Sequence, residues 1–227
     1  MLVPMTTKLF IQALTKYVIG LAIVMALLFI PAGTINYWQA WLFIGILFIP
    51  MLIVGIVLMS RNPELLRKRL DAKEKEGEQK SVITMSSLLF LAMFVIAGLN
   101  HRFEWWILPD WLIIAAAVLF LIGYAMYAEV MRENVWLSRT VEVQDNQQVV
   151  DTGLYGIVRH PMYSATLILF LTTPLVLASP WSFVIMLLYL PIVIKRIQNE
   201  ETVLKLELDG YKEYIQRIHY RLIPFIW

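Results

Sequence analysis

"RHPMYSATLILFLTTPLVLASPWSFVIMLLYLPIVIKRIQNEE", Arg159 to Glu201, decides the fold of this chain. Charged residues stand at both ends, and nearly everything between them is apolar. The apolar part divides into Met162–Ala178 and Trp181–Ile194, separated only by Ser179 and Pro180. A membrane span needs about 20 mostly apolar residues. Both runs are short by that measure, so tilt and snorkelling ends are expected to make up the length. A two-residue connection forces antiparallel neighbours, so the stretch predicts a tight helical hairpin. Its start and end then lie side by side, and Arg159–Tyr163 face Arg196–Glu201 at one lip of the membrane.

Working outward, four more apolar blocks precede the hairpin: Thr15–Ala32, Trp38–Met59, Val82–Leu99 and Trp111–Val130. The 227 residues are 59% hydrophobic and 16% charged, where a soluble domain carries about 25% charge. The expected architecture is all-α: a polytopic membrane bundle of about six transmembrane helices, a C-terminal hairpin and an interfacial C-terminal segment. The apolar run Tyr17–Ile30 lacks a small-residue cleavage site after it, so it reads as a first transmembrane helix rather than a signal peptide. Residues 1–130 form a four-helix region. Residues 131–227 carry the charged clusters around the hairpin.

Basic residues set the orientation. With six spans and a cytoplasmic N-terminus, eighteen of the nineteen Lys and Arg fall on the cytoplasmic side and only Arg102 on the other. Trp38, Trp105, Trp106, Trp111 and Trp181 mark the opposite interface as an aromatic belt. Both termini and the charged lip are therefore expected to be cytoplasmic. "RNPELLRKRLDAKEKEGEQK", Arg61–Lys80, reads as a solvated, lipid-facing connector. "VEVQDNQQVVDTGLYG", Val141–Gly156, is turn-rich. After the hairpin, Ile197, Leu204 and Leu208 keep helical spacing, so the last helix should extend into the interface and stop at Gly210.

Several chemistries are excluded. A net charge of +2 gives no reason to expect a nucleic-acid partner. Without cysteine there is neither a disulfide nor a thiolate metal site. His101, His160 and His219 lack metal-ligand spacing, and no metal is predicted. Phosphate-binding glycine loops and a serine-hydrolase elbow are also missing.

The charged lip is what remains. Taken singly, Arg159 is an interfacial anchor, Arg196 with Glu200 is an exposed i,i+4 ion pair, and Tyr155, Tyr163, Tyr211 and Tyr214 are ordinary interfacial tyrosines. Taken together, two charged clusters from distant sequence meet where water meets lipid, and ionisable groups so placed are functional candidates.

These residues resemble a known family. "GLYGIVRHPMY", "KRIQNEE" and "GYKEYIQRIHYRLIPFIW" are similar to segments of the membrane methyltransferases related to isoprenylcysteine carboxyl methyltransferase, and phospholipid methyltransferases share much of the pattern. The resemblance covers roughly Val149–Trp227. It implies an S-adenosylmethionine-dependent methyltransferase without a Rossmann domain, with residues 131–227 as the cofactor-binding region and the N-terminal helices giving access to the acceptor. It assigns the cofactor to Val149, Val150, Tyr155, Arg159, His160, Pro161, Met162, Tyr163 and Glu200. Catalytic roles fall to Arg196, on the acceptor, and to Glu201. The implied partner is a lipophilic or lipid-modified substrate drawn from the membrane, with a carboxylate, amine or phenol as acceptor. The spacing near Gly210 is tighter than in the isoprenylcysteine enzyme, so Tyr211 and Tyr214 are not carried over. Two other readings compete: an NADPH-dependent membrane reductase of the sterol-reductase type, and a non-enzymatic membrane protein.

Overall fold

The computed structural model describes residues 7–70, 77–137 and 143–227, the side chains of 68 and 77–83 excepted. The described residues form helices and connecting turns: α1 (Thr7–Ala32), α2 (Trp38–Arg61), α3 (Pro63–Leu70), α4 (Gly77–Phe103), α5 (Asp110–Glu133), a 3-10 turn (Gly153–Gly156), α6 (Pro161–Val176), α7 (Pro180–Leu187), α8 (Tyr189–Glu207) and α9 (Tyr211–Arg217). Five stretches among them are long and apolar enough to span a membrane, and α7 and α8 together count as one of 28 residues. The outward faces carry exposed Ile19, Ile53, Leu88 and Leu119, apolar residues placed where lipid rather than water is the solvent. The protein is a multi-pass membrane protein.

The hairpin departs from its predicted form in the length of one helix and a break in the other. Only α6 is short: its 16 residues rise about 24 Å, less than the roughly 30 Å hydrocarbon core. Its partner runs past Ile194 to Glu207, as the spacing of Ile197 and Leu204 predicts, but is interrupted at Leu188. Pro191 explains the break. It has no N–H to donate to the Leu187 carbonyl four residues earlier, and its ring clashes with that oxygen. Gly210, at φ 79°, ends the run and lets the chain turn into α9.

The hairpin's connection is buried and fully engaged. Ala178 sits in the left-handed region at φ 55°. The N–H of Ser179 donates to the Pro174 carbonyl (2.9 Å), and the Ser179 side chain caps α7 by accepting from the Ser182 N–H. The N-terminal helices supply the remaining partners. Tyr37 donates to the Leu177 carbonyl (2.6 Å), Asn100 to the Ala178 carbonyl (3.2 Å), and Ser182 to the Met93 carbonyl (2.9 Å). Away from water each of these carbonyls needs such a donor. Two glycines allow close approach between helices of the bundle. A Cβ on Gly98 would lie 2.6 Å from the Leu28 carbonyl oxygen on α1, and one on Gly123 would lie 2.9 Å from Ile168 on α6.

The connector prediction for Arg61–Lys80 fails over its first half. Asn62 caps α3 by accepting from the Leu65 N–H (3.1 Å), Leu65 and Leu66 are buried, and Arg69 points inward. Apolar residues at Leu65 and Leu66 give this short helix a face to bury, which a purely solvated linker would lack. Residues 71–76, with Lys73 and Lys75, lie outside the described residues, as does Arg139.

Candidate active site

The site begins where the chain enters α6. The 3-10 turn carries Tyr155 inward, where its hydroxyl accepts from Asn134 (2.9 Å) and its carbonyl accepts from the Tyr214 hydroxyl (2.8 Å). Arg159 and His160 then run extended beside the C-terminal segment. Their backbone N–H groups donate to the carbonyls of Tyr220 (2.8 Å) and Arg221 (2.9 Å). Pro161 follows at the first position of α6, where its missing N–H costs nothing. The C-terminal residues thus act as a strap that fixes the Arg-His pair; Ser164 ties the same strap through the Leu222 carbonyl (2.6 Å).

Glu201 is the electrostatic centre behind this wall. It is 1% exposed, and its Oε1 accepts from Arg159 Nε at 2.8 Å and lies 3.3 Å from His160 Nε2. Its Oε2 accepts from Nε and Nη2 of Arg221 at 3.1 and 3.0 Å, with Lys205 Nζ at 3.6 Å. Arg159, itself 7% exposed, spends its Nη1 on the carbonyls of Ile218 (2.8 Å) and His219 (2.9 Å). A buried carboxylate is tolerable only when paired and bonded in this way.

Glu200, one residue earlier, faces a cleft. Its Oε2 accepts from the Tyr163 hydroxyl (2.6 Å), which accepts in turn from Arg196 Nε (2.8 Å). The i,i+4 pair is therefore joined through a phenol on the facing helix. His160 Nδ1 stands 3.9 Å from Glu200 Oε1, so the imidazole lies between the two glutamates.

The cleft gathers nearly every residue picked from sequence. Val149, Val150, Tyr155, Arg159, His160, Met162, Tyr163, Arg196 and Glu200 all line it. Pro161 and Glu201 do not; they hold the wall from behind. The sequence reading missed Asn134, Trp136, Gln147 and Gln148 on the lining, and Arg221 behind it. Gln147 and Gln148 stand in the turn-rich segment already noted, but Arg221 carries no spacing signal and is placed only by the folded strap. Tyr211 and Tyr214, left unassigned by the sequence, also line the cleft with Leu204 and Leu208 and pack with Val149 into a small apolar cluster.

Burial tunes these phenols. It pushes the Tyr155 hydroxyl up to about 12, helped by the negative charge of Glu200 and opposed by the Asn134 hydrogen bond. Tyr211 is raised by burial and then by Glu201 and Glu200, and Tyr214 by burial and then by Tyr155. All three stay protonated donors at working pH. Tyr211 lines the cleft, and its buried hydroxyl meets no hydrogen-bond partner among the described residues. Buried polar groups are almost always paired, so this hydroxyl is an exception in the protein's own hydrogen bonding.

The described helices form a bundle of membrane-spanning length with a cleft of charged, phenolic and apolar side chains at the end of its last hairpin, and its relatives are methyltransferases. A phospholipid methyltransferase family model matches residues 111–207. Two rice proteins, the probable protein-S-isoprenylcysteine O-methyltransferases of Oryza sativa subsp. indica and subsp. japonica, are each 30% identical over 164 residues, covering 63% of this chain and 82% of theirs. The structure of the eukaryotic intramembrane Ras methyltransferase ICMT (isoprenylcysteine carboxyl methyltransferase) shares the fold, with a TM-score of 0.58 over 94% of this chain and 77% of that one at 18% identity. The chain belongs to the isoprenylcysteine O-methyltransferase family of membrane methyltransferases.

Proposed function

We propose that this protein moves a methyl group from S-adenosylmethionine to the carboxylate of a prenylcysteine-like lipophilic acceptor, at the cytoplasmic surface of its membrane. The observation that carries the reading is the cleft itself. Tyr155, His160, Tyr163, Arg196 and Glu200, drawn from two separate segments, line one space together with the orphan Tyr211 hydroxyl.

The residues present suit the cofactor. Glu200 offers a carboxylate to its ammonium or ribose hydroxyls, Tyr211 offers an unspent donor, and Val149, Val150 and Leu204 offer apolar walls to the adenine. When bound, S-adenosylmethionine supplies a methyl carbon on a sulfonium, open to in-line displacement. The protein's part is to position the acceptor and exclude water. Arg196 is the group for the acceptor's carboxylate, its guanidinium plane set by the Nε bond to Tyr163. A carboxylate needs no general base because it is already ionised. The site matches that economy: Tyr155, Tyr211 and Tyr214 are held protonated, and Glu201 is enclosed by cations. Glu201 is accordingly a positioning residue that holds Arg159 and His160, rather than a base.

The test is transfer from labelled S-adenosylmethionine by the detergent-purified protein. N-acetyl-S-farnesylcysteine is expected to gain a base-labile methyl ester, and Arg196→Ala to abolish the gain. Label on an amine of membrane phospholipid, with none on the prenylcysteine, would replace the carboxylate by an amine acceptor.

A further inference from the structure

Arg69 belongs to neither charged cluster, yet it reaches the same site from the other side. It ends α3, and its Nη2 donates to the Tyr127 hydroxyl of α5 (2.9 Å) and to the Met162 thioether of α6 (3.4 Å). Its guanidinium carbon stands 5.4 Å from the centre of the Tyr127 ring. Its Nε is buried and meets no acceptor among the described residues. Among the described residues no carboxylate pairs with it, whereas its neighbour Arg67 has Glu64 at 3.5 Å.

A phenol and a thioether are weak acceptors for a cation with five donors. A sheltered guanidinium with no anion among the described residues is costly, and its planar fork matches a carboxylate or phosphate oxygen pair. Met162 connects it to the chemistry, because Met162 also lines the cleft. A flexible thioether is a cover that swings aside at little cost. Arg69 therefore lies one movable side chain from the cleft, against helices that face the lipid.

We propose that Arg69 is an anion clamp for the acceptor: it engages an oxyanion on the lipophilic substrate where α3, α5 and the start of α6 meet, and so selects anionic acceptors. This rests on the methyltransferase reading and adds a second cation, beside Arg196, to the acceptor's path. The same fork would also suit the phosphate of an ordinary phospholipid headgroup, and the experiment separates the two sources.

Binding of N-acetyl-S-farnesylcysteine and of its carboxamide is measured on the detergent-purified full chain, for wild type, Arg69→Gln, Arg69→Lys and Tyr127→Phe, with S-adenosylmethionine affinity measured on the same samples. Wild type is expected to prefer the carboxylate. Arg69→Gln should weaken the carboxylate about tenfold or more while the carboxamide and S-adenosylmethionine stay within about twofold. Arg69→Lys should keep part of the preference, since charge survives and the fork does not. Tyr127→Phe should narrow the preference less, and it serves as the test if the Arg69 variants fail to fold: an unchanged ratio there overturns the proposal. Equal binding of both compounds to wild type, or equal loss of both in Arg69→Gln, also overturns it. So does loss of co-purifying anionic phospholipid with an unchanged carboxylate preference, which would make Arg69 a headgroup anchor. Wild type without S-adenosylmethionine affinity would remove the methyltransferase reading itself; intact affinity with an Arg69-independent preference removes only the clamp.

Discussion

Consecutive residues on a helix point about 100° apart, and Glu200 and Glu201 use that divergence. Glu200 reaches the cleft through Tyr163, while Glu201 turns back into Arg159 and Arg221. The two variants should therefore fail differently. Glu200→Gln is expected to weaken S-adenosylmethionine binding about tenfold or more, with the thermal midpoint moved by only about 2 °C. Arg159→Ala leaves Glu201 buried with a partner missing and should cost about 3–5 kcal/mol of stability, read as a large drop in thermal midpoint in detergent. A similar midpoint for both variants would contradict this division of labour. The phenols give a pH prediction. A hydroxyl raised to about 12 by burial keeps its proton until pH approaches that value. Rate profiles of wild type and Tyr155→Phe are expected to run parallel over about pH 7–10, and an alkaline fall present only in wild type would show Tyr155 titrating inside that range.

At the scale of elements, the hairpin is the part that the sequence displays most openly. Two apolar runs with Ser179 and Pro180 between them leave little choice of topology. Pro161 marks the start of α6 and Gly210 the end of the helical run. The extension of α8 past Ile194 was visible as the spacing of Ile197 and Leu204, but the break at Leu188 needed the ring of Pro191 to be set against the Leu187 carbonyl. Side-chain bonds over long sequence distances were not legible. Nothing near Tyr37 says that its hydroxyl will meet Leu177, 140 residues later. That bond carries a prediction: Tyr37→Phe strands a buried carbonyl and should cost about 1–3 kcal/mol, seen as a lower midpoint with unchanged S-adenosylmethionine affinity. A midpoint equal to wild type would mean that the hairpin turn finds another donor.

On the proposed function, the whole molecule sets a water-soluble reactant and a lipid-dissolved one against each other. Nine of the nineteen residues lining the cleft were readable, because these motif residues cluster in two short segments, Val149–Tyr163 and Arg196–Glu200. The strap residue Arg221 and the α3 residue Arg69 were not, since one depends on the C-terminal fold-back and the other on a helix packing beneath the bundle. Orientation is tested at this scale, and the chain lends itself to it because it contains no cysteine. Gln147→Cys, beside the cleft, should react with an impermeant maleimide only from the cytoplasmic side, and Trp106→Cys only from the other. The reverse pattern would invert the topology. The central claim is that the cleft between α6, α8 and α9 holds S-adenosylmethionine. Calorimetric titration of purified wild type, Glu200→Gln and Tyr211→Phe tests it most directly. Saturable binding to wild type, weakened in both variants with their thermal midpoints kept, is the predicted result; wild-type affinity in both variants, or no binding to wild type, contradicts it.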